Sequence, residues 1–362
     1  MQNCKSLKVA VGLSGGVDSS VAALLLKEQG HEVVGVTMKL WRGAFKGGTR
    51  DACFGPGEAD DIARAERLAK RIGIEYRVFD LSEEYERSIV RYFRETYLRG
   101  ETPNPCVRCN AAFKFGLLPR LAAESGLAFD KFATGHYART TTAADGRTEL
   151  RMAADRKKDQ SYFLCRLSQA QLARHLFPLG EMEKSEVRAI ARRAGLDAAD
   201  KPDSQDFYSG DADELVGAAD RPGDIVDAHG RKLGRHRGYW HYTIGQRKGL
   251  GLSGGSGDPY YVVSTSACRN EVVVGRMDEA LRREFAVGAV NWVSVPATDE
   301  PLECRVRVRS AGTPLPVVLH GGRCISREGI FGVAPGQSAV FYGPGDDDRV
   351  LCGGTILRDQ AD

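Results

Sequence analysis

The sequence predicts an α/β domain built on a parallel sheet, followed by two small mainly-β domains. Two observations carry this. From residue 7 to about residue 135, short apolar or β-branched runs alternate with segments of helical period, the pattern of strand–helix–strand units with right-handed crossovers. Beyond about residue 205, short β-like runs separated by glycine-containing turns take over.

Taken in order, 7–13 (LKVAVGL) is an apolar run bounded by glycine and reads as a buried strand. Ser14–Asp18 form a polar turn, and Ser19–Gln29 a helix with Val21, Leu24 and Leu25 at helical spacing and Gly30 as its stop. Glu32–Met38 is a second strand. A helix over 58–72 puts Ile62, Ala65, Leu68, Ala69 and Ile72 on one face and ends at Gly73. Glu75–Phe79 is a strand, Glu83–Tyr97 a helix, and Phe113–Ser125 a helix that Pro119 is expected to break or kink. Asp130–Thr134 is a strand ending at Gly135 and His136. Ligands on open parallel sheets bind beyond the carboxyl ends of the strands. Ser14–Ser19, Met38 and Gly135–His136 are therefore expected to line one crevice. The later β-like runs are 239–244, 260–263, 272–274, 290–295, 304–308 and 337–341. The expected domains are 1–207, 208–280 and 281–362.

Of the 362 residues, 42% are apolar and 27% charged, a globular composition that excludes a disordered or collagenous chain. No stretch approaches the roughly 18 uninterrupted apolar residues of a membrane helix. The N-terminus lacks the apolar run and cleavage site of a signal peptide, so the expectation is a cytoplasmic protein. Nine cysteines are too few for a disulfide scaffold. The net charge, 51 Lys+Arg against 48 Asp+Glu, is only +3 and by itself does not indicate a nucleic-acid partner.

The segment Gly12-Leu13-Ser14-Gly15-Gly16-Val17-Asp18-Ser19 follows a strand and opens a helix. It is neither a GxxxxGK[ST] loop nor a GxGxxG loop. Its glycine N–H groups, serine hydroxyls and helix N-terminus suit a phosphate group, and Asp18 makes sense there if Mg²⁺ bridges to phosphate oxygens. The plainer alternative is a turn that caps a helix. SGGVDSS resembles the signature of the PP-loop ATP pyrophosphatases, of adenine nucleotide α-hydrolase-like fold. These cleave ATP to AMP and pyrophosphate while adenylating a carbonyl oxygen.

Thr102-Pro103-Asn104-Pro105-Cys106-Val107-Arg108-Cys109-Asn110 places two thiols close together on a turn or helix start. The helix N-terminus, Arg108 and Lys114 are expected to lower a thiol pKa there. A lone CxxC is half a zinc site, and no second pair lies at zinc-finger spacing. With Lys-Phe close behind, TPNPCxxCN resembles a motif of the tRNA-specific 2-thiouridylases. ATGHYAR (133–139), KDQSYFL (158–164) and YTIGQRKGL (242–250) are similar to further motifs of that family. The resemblance covers about residues 8–355.

The resemblance implies ATP-dependent 2-thiolation of the wobble uridine of tRNA, at position 34, by a tRNA-uridine 2-sulfurtransferase. ATP adenylates the C2 oxygen, and a sulfur nucleophile then displaces AMP. It implies that Gly12–Ser19 hold the ATP phosphates, Met38 and Gly135 contact adenosine, and Asp18 helps hold Mg²⁺. It further implies that Lys158, Asp159, Gln160, Arg307 and Val308 contact tRNA, and that Cys109 is the catalytic nucleophile. A sulfur donor, either a persulfide-carrying protein or sulfide, completes the partners. The remaining readings are another PP-loop adenylating ligase and a catalytically altered tRNA-binding homologue.

The chain departs from the family at two positions. Cys106 stands where many members have aspartate. Lys201-Pro202-Asp203-Ser204-Gln205-Asp206-Phe207-Tyr208 places Tyr208 where those members carry a second catalytic cysteine. A tyrosine cannot carry a persulfide, which leaves two expectations. In one, Cys106 and Cys109 form the redox pair. In the other, Cys53, Cys106 and Cys109 hold an iron–sulfur cluster with one iron open. The other six cysteines read as packing or incidental residues.

Two basic segments suggest RNA contact. Residues 230–251 hold six Lys/Arg, three aromatics and two histidines, a mixture suited to phosphates and splayed bases. Arg305, Arg307 and Arg309 alternate along a strand and share a face.

Overall fold

The computed structural model describes residues 6–48, 51–197, 199, 206–252, 258–345 and 347–358. Strand β1 (Lys8–Gly12) feeds helix α1 (Val17–Glu28), and β2 (Glu32–Lys39) returns beside it. A short β3 (Ala52–Phe54) precedes α2 (Glu58–Ile72) and β4 (Glu75–Asp80). Helix α3 (Ser82–Tyr85) runs through a π-helical stretch into α4 (Arg91–Leu98). Helix α5 (Pro105–Cys109), a second π-helical stretch (Asn110–Leu117) and α6 (Leu118–Glu124) lead to β5 (Lys131–Ala133). The hairpin β6 (Ala138–Thr142) and β7 (Thr148–Met152), helix α7 (Gln169–Arg174), β8 (His175–Leu176), α8 (Lys184–Arg193) and β9 (Asp206–Tyr208) follow.

The main sheet is parallel, in the order β4-β2-β1-β5-β8. Val9 and Val11 pack in the same apolar cluster as Val21 and Leu26 of α1, while Ala10 packs with Leu118 and Phe132 on the other side. Burial on both faces explains why β1 reads as an unbroken apolar run.

Pro119 does not break its helix. It lies in the first turn of α6, where its missing N–H is tolerated. The carbonyl of Phe115, four residues back, accepts instead from Gln171 Nε2 at 3.0 Å, and the same amide donates to Ala111 O at 2.8 Å.

Beyond helix α9 (Ala212–Val216), strands β10 (Gly223–Val226), β11 (Lys232–His236), β12 (Tyr261–Ser266) and β13 (Glu271–Gly275) form a sheet in the order β11-β10-β13-β12. The expected strand over 239–244 is absent. Tyr239–His241 form a 3-10 turn, with Tyr239 and Trp240 buried in a core. Strands β14 (Leu281–Trp292), β15 (Leu302–Arg307), β16 (Leu315–His320), β17 (Arg323–Phe331), β18 (Ser338–Tyr342) and β19 (Val350–Ile356) close into a barrel. No helix among the described residues is long and apolar enough to cross a membrane.

The barrel docks on the N-terminal domain through buried polar contacts. Asp348 accepts from Arg151 at 2.8 Å, from Arg156 at 3.0 Å and from Arg139. Tyr162 donates to Ser338 O at 2.8 Å. Gln337 of the barrel reaches the TPNP segment, donating to Pro103 O at 2.8 Å and accepting from Asn104 Nδ2 at 3.2 Å.

Candidate active site

A cavity of about 300 Å³ opens at the carboxyl ends of β1, β2 and β5. Its walls include Gly12, Leu13, Ser14, Gly16, Val17, Asp18 and Ser19 from the first loop, with Met38 and Gly135 opposite. Gly15 takes φ +69°, and a Cβ there would meet Asp61 O at 2.3 Å, so only glycine fits between loop and α2. Gly135 lies against the start of α1, where a Cβ would meet Ser19 N at 2.5 Å. Ser14 N donates to Ser19 Oγ at 3.1 Å, which folds the loop over the helix start. The resulting arc of backbone N–H groups at a helix N-terminus can accept a phosphate chain.

Asp18 is not isolated in this arc. Its Oδ1 accepts from Tyr137 Oη at 2.8 Å and from Lys184 Nζ at 2.7 Å, and Oδ2 accepts from Lys184 at 2.8 Å. Lys184 opens α8, 166 residues away, and only the Glu183–Glu186 capping box marks that helix start in sequence. A carboxylate facing a phosphate site fits Mg²⁺ carried by a nucleotide, a cation that uses one or two carboxylates plus phosphate oxygens.

Glu58 is a site residue that the motifs did not indicate. It lines the cavity and accepts from the backbone N–H of Leu40 at 2.7 Å and Trp41 at 2.8 Å, holding the loop after β2. Burial pushes its carboxyl up to about 7, against the pull of those two N–H groups. A carboxyl raised in the folded state stabilises most below its ordinary value near 4.5, and this contribution is lost as pH rises to about 7. Melting temperature is therefore expected to fall by a few degrees between pH 5 and pH 8. Glu58→Gln should flatten that part of the profile, measured by thermal scans across the range.

The cysteines behave differently from expectation. Asn104 caps α5, its side chain accepting from Val107 N at 3.2 Å, and Pro105 occupies the first turn. Burial pushes Cys109 up to about 11 and Cys106 up to about 12. Lys114 pulls both down but does not prevail, and Arg108 turns away to lie over the Tyr92 ring at 4.6 Å. The expected lowering of a thiol pKa is thus reversed in this ligand-free form, because apolar packing outweighs the neighbouring cation.

Cys109, Cys53 and Lys114 all line the cavity, whereas Cys106 does not. Burial disfavours the charge of Lys114, but the sulfurs of Cys53, Cys109 and Cys106 favour it and win. The three sulfurs thus share one neighbourhood. Yet no group of three or more His, Cys, Asp or Glu side chains among the described residues is positioned to hold a metal ion.

Tyr208 is packed away. It is buried among Trp41, Phe45 and Phe54, donates to Glu214, and accepts from Gly47 N at 3.1 Å. The preceding Lys201–Gln205 lie outside the described residues.

The expected RNA-facing residues divide. Lys158 and Gln160 line the cavity. Asp159 and Arg307 are buried against each other at 2.8 Å, with side chains 1% and 8% exposed, and Val308 lies in the barrel core. In this ligand-free form the Asp159 and Arg307 side chains are thus engaged with each other where the barrel docks. Tyr239 and Trp240 are likewise core residues rather than a stacking platform, and Arg231, Lys232 and Arg237 pair with Asp227, Asp224 and Asp213.

The chain matches family models described as a tRNA methyl transferase HUP domain (residues 7–208), a tRNA methyl transferase PRC-barrel domain (215–276) and an aminomethyltransferase beta-barrel domain (282–356). It is similar to the tRNA-specific 2-thiouridylase MnmA of Endomicrobium trichonymphae, at 44% identity over 360 residues, covering 97% of this chain and 99% of the relative. The protein of the same name from Geobacter metallireducens is 45% identical over 365 residues, 96% of each chain. Among solved structures, NMN synthetase from Francisella tularensis aligns with 55% of this chain and 66% of its own at 17% identity, with a TM-score of 0.34. A 4-thiouridine synthetase in complex with RNA and ATP aligns with 57% of this chain and 44% of its own at 16% identity, also with a TM-score of 0.34. With such identity running from end to end, this chain belongs to the tRNA-specific 2-thiouridylase family.

Proposed function

We propose that this chain is an ATP-dependent tRNA-uridine 2-sulfurtransferase that converts the wobble uridine, position 34, to 2-thiouridine. The observation that carries this reading is one cavity holding both a phosphate-binding arc and a thiol. Gly12–Ser19 and Cys109 face the same space, beyond the carboxyl ends of the sheet. An adenylating site and a sulfur nucleophile must be that close, because the activated base passes from one to the other.

Uridine O2 is a poor leaving group until joined to AMP. The loop N–H groups would hold the ATP phosphates, and Asp18 with phosphate oxygens would hold Mg²⁺, which neutralises charge on departing pyrophosphate. Met38 and Gly135 would bound the adenosine. Lys158 and Gln160, from the same wall, would meet nucleotide or the incoming uridine. Cys109 would bear the sulfur delivered by a persulfide-carrying protein or by sulfide. Tyr85, whose hydroxyl faces the Cys109 sulfur, favours its thiolate, and Lys114 does the same.

The test is to incubate the protein with unmodified tRNA, Mg-ATP and a sulfur source, digest the tRNA, and identify nucleosides by mass spectrometry. The expected product is 2-thiouridine with equimolar AMP and pyrophosphate. Retained tRNA binding without thiouridine under any sulfur source would overturn the enzyme reading and leave a tRNA-binding homologue.

A further inference from the structure

The sequence-based pairing of Cys106 with Cys109 leaves Cys53 without a role if no cluster forms. The placement of the three sulfurs points elsewhere. Cys109 and Cys53 are both on the cavity wall, and Cys106 is not. Cys53 is exposed while Cys109 is buried, so a reducing dithiol that opens a disulfide between them meets the Cys53 sulfur first.

The β3–β9 ladder shows how Cys53 stands relative to Tyr208. These strands pair in parallel, with Ala52 opposite Asp206 and Phe54 opposite Tyr208. Cys53 stands opposite Phe207, and its side chain leaves the ladder on the face away from Tyr208, the position at which related chains are expected to carry their second cysteine. Tyr208 fills that position with a ring locked into an aromatic cluster, and the neighbouring strand offers a thiol to the cavity instead.

We propose that Cys53 is the resolving thiol of this enzyme, having taken over from β3 the role that Tyr208 cannot perform on β9. The assignment rests on the thiolation reading above. A donor persulfide first passes its outer sulfur to the Cys109 thiolate, giving Cys109–S–SH and the donor thiolate. The deprotonated persulfide attacks C2 of the adenylated uridine. The C2–O bond breaks, AMP leaves with the electron pair, and a Cys109–S–S–C2 link remains. The Cys53 thiolate, its proton lost to solvent, then attacks Cys109 Sγ. The bond between the two sulfurs breaks with its electron pair left on the sulfur joined to C2. N3 takes up a proton and 2-thiouridine is released. Two thiols have been oxidised to a Cys53–Cys109 disulfide, the transferred sulfur has been reduced by two electrons, and an external dithiol resets the enzyme.

The experiment is a single turnover of the full chain loaded with persulfide, with Mg-ATP and tRNA but no reductant. It is run on wild type, Cys53→Ser and Cys106→Ser, with non-reducing peptide mapping beside nucleoside analysis. Wild type and Cys106→Ser are expected to release 2-thiouridine and to accumulate the Cys53–Cys109 disulfide in equal amount. Cys53→Ser is expected to stall as a protein–tRNA adduct that dithiothreitol cleaves to 2-thiouridine, a signature that loss of folding cannot produce. A Cys106–Cys109 disulfide in wild type, or release by Cys53→Ser at the wild-type rate without reductant, would overturn the assignment. If wild type makes no 2-thiouridine under any sulfur source, the parent reading fails and this assignment falls with it.

Discussion

Cys109→Ser is expected to lower thiouridine formation by about 10⁴-fold or more, the scale seen when a covalent nucleophile is removed, while tRNA-dependent pyrophosphate release continues. The separation follows from the site's layout. The phosphate arc belongs to the β1–α1 loop and the adenosine wall to β2 and β5, so neither depends on the sulfur for its shape. Serine is nearly isosteric, and Cys109 is buried in a core with Phe113 and Tyr85, so the packing there is preserved. What serine lacks is a sulfur able to hold a second sulfur. Pyrophosphate release measured beside thiouridine by mass spectrometry checks both halves. A variant that keeps more than a tenth of wild-type thiolation would show that Cys109 is not the sulfur carrier. Loss of pyrophosphate release as well would show that sulfur loading gates adenylation.

The raised thiol pKa values sharpen that expectation. Burial holds Cys109 and Cys106 protonated at neutral pH in the ligand-free protein. Lys114, which favours the Cys109 thiolate, and Cys53, which opposes it, both line the cavity that nucleotide and tRNA would enter. Persulfides are more acidic than thiols, so sulfur loading itself favours the reactive anion that the bare thiol resists.

Much of this site could be read from the chain alone because its determinants are local. The β1–α1 loop announces itself by glycine spacing, and α5 by an Asn cap followed by proline. What was not legible depends on partners distant in sequence. Nothing near Asp18 signals Lys184, and nothing near Pro119 signals that Gln171 satisfies the freed carbonyl of Phe115. Glu58 lies in an ordinary acidic first turn, and only the fold shows it gripping Leu40 and Trp41. The expected alternation of Arg305, Arg307 and Arg309 holds only for the first two, because β15 ends at Arg307 and Arg309 lies in the bend beyond it. Arg305 donates to Gly343 O at 2.9 Å within the barrel, and Arg309 to Ile244 O of the preceding domain at 2.5 Å, so both are engaged inside the chain. Basic residues next to aromatics in 230–251 suggested stacking on RNA for the same reason: composition records chemistry but not enclosure.

Asp159→Ala is expected to cost about 3–5 kcal/mol, as removal of one partner of a buried ion pair does, and to lower the melting temperature by about 5–15 °C. Asp159 binds more than Arg307. It accepts from Ala153 N at 3.0 Å, Ser161 N at 3.2 Å and Ser161 Oγ at 2.9 Å, so its loss strands several donors at once. Arg307→Met keeps a stem to pack near the Tyr342 ring, over which the guanidinium lies at 5.0 Å, and should cost less. The double variant should be less destabilised than the sum of the singles, because neither residual charge is left buried and alone. Thermal melts of all three, read as a double-mutant cycle, measure this coupling directly. The contrasting outcome is equally sharp. If Arg307 met tRNA phosphate, Arg307→Met would keep its melting temperature, weaken tRNA binding evenly across sequences, and reduce the salt slope of binding by about one. The pair joins the Lys158–Gln160 wall of the cavity to the barrel, so a stability loss here should carry a loss of thiolation with it.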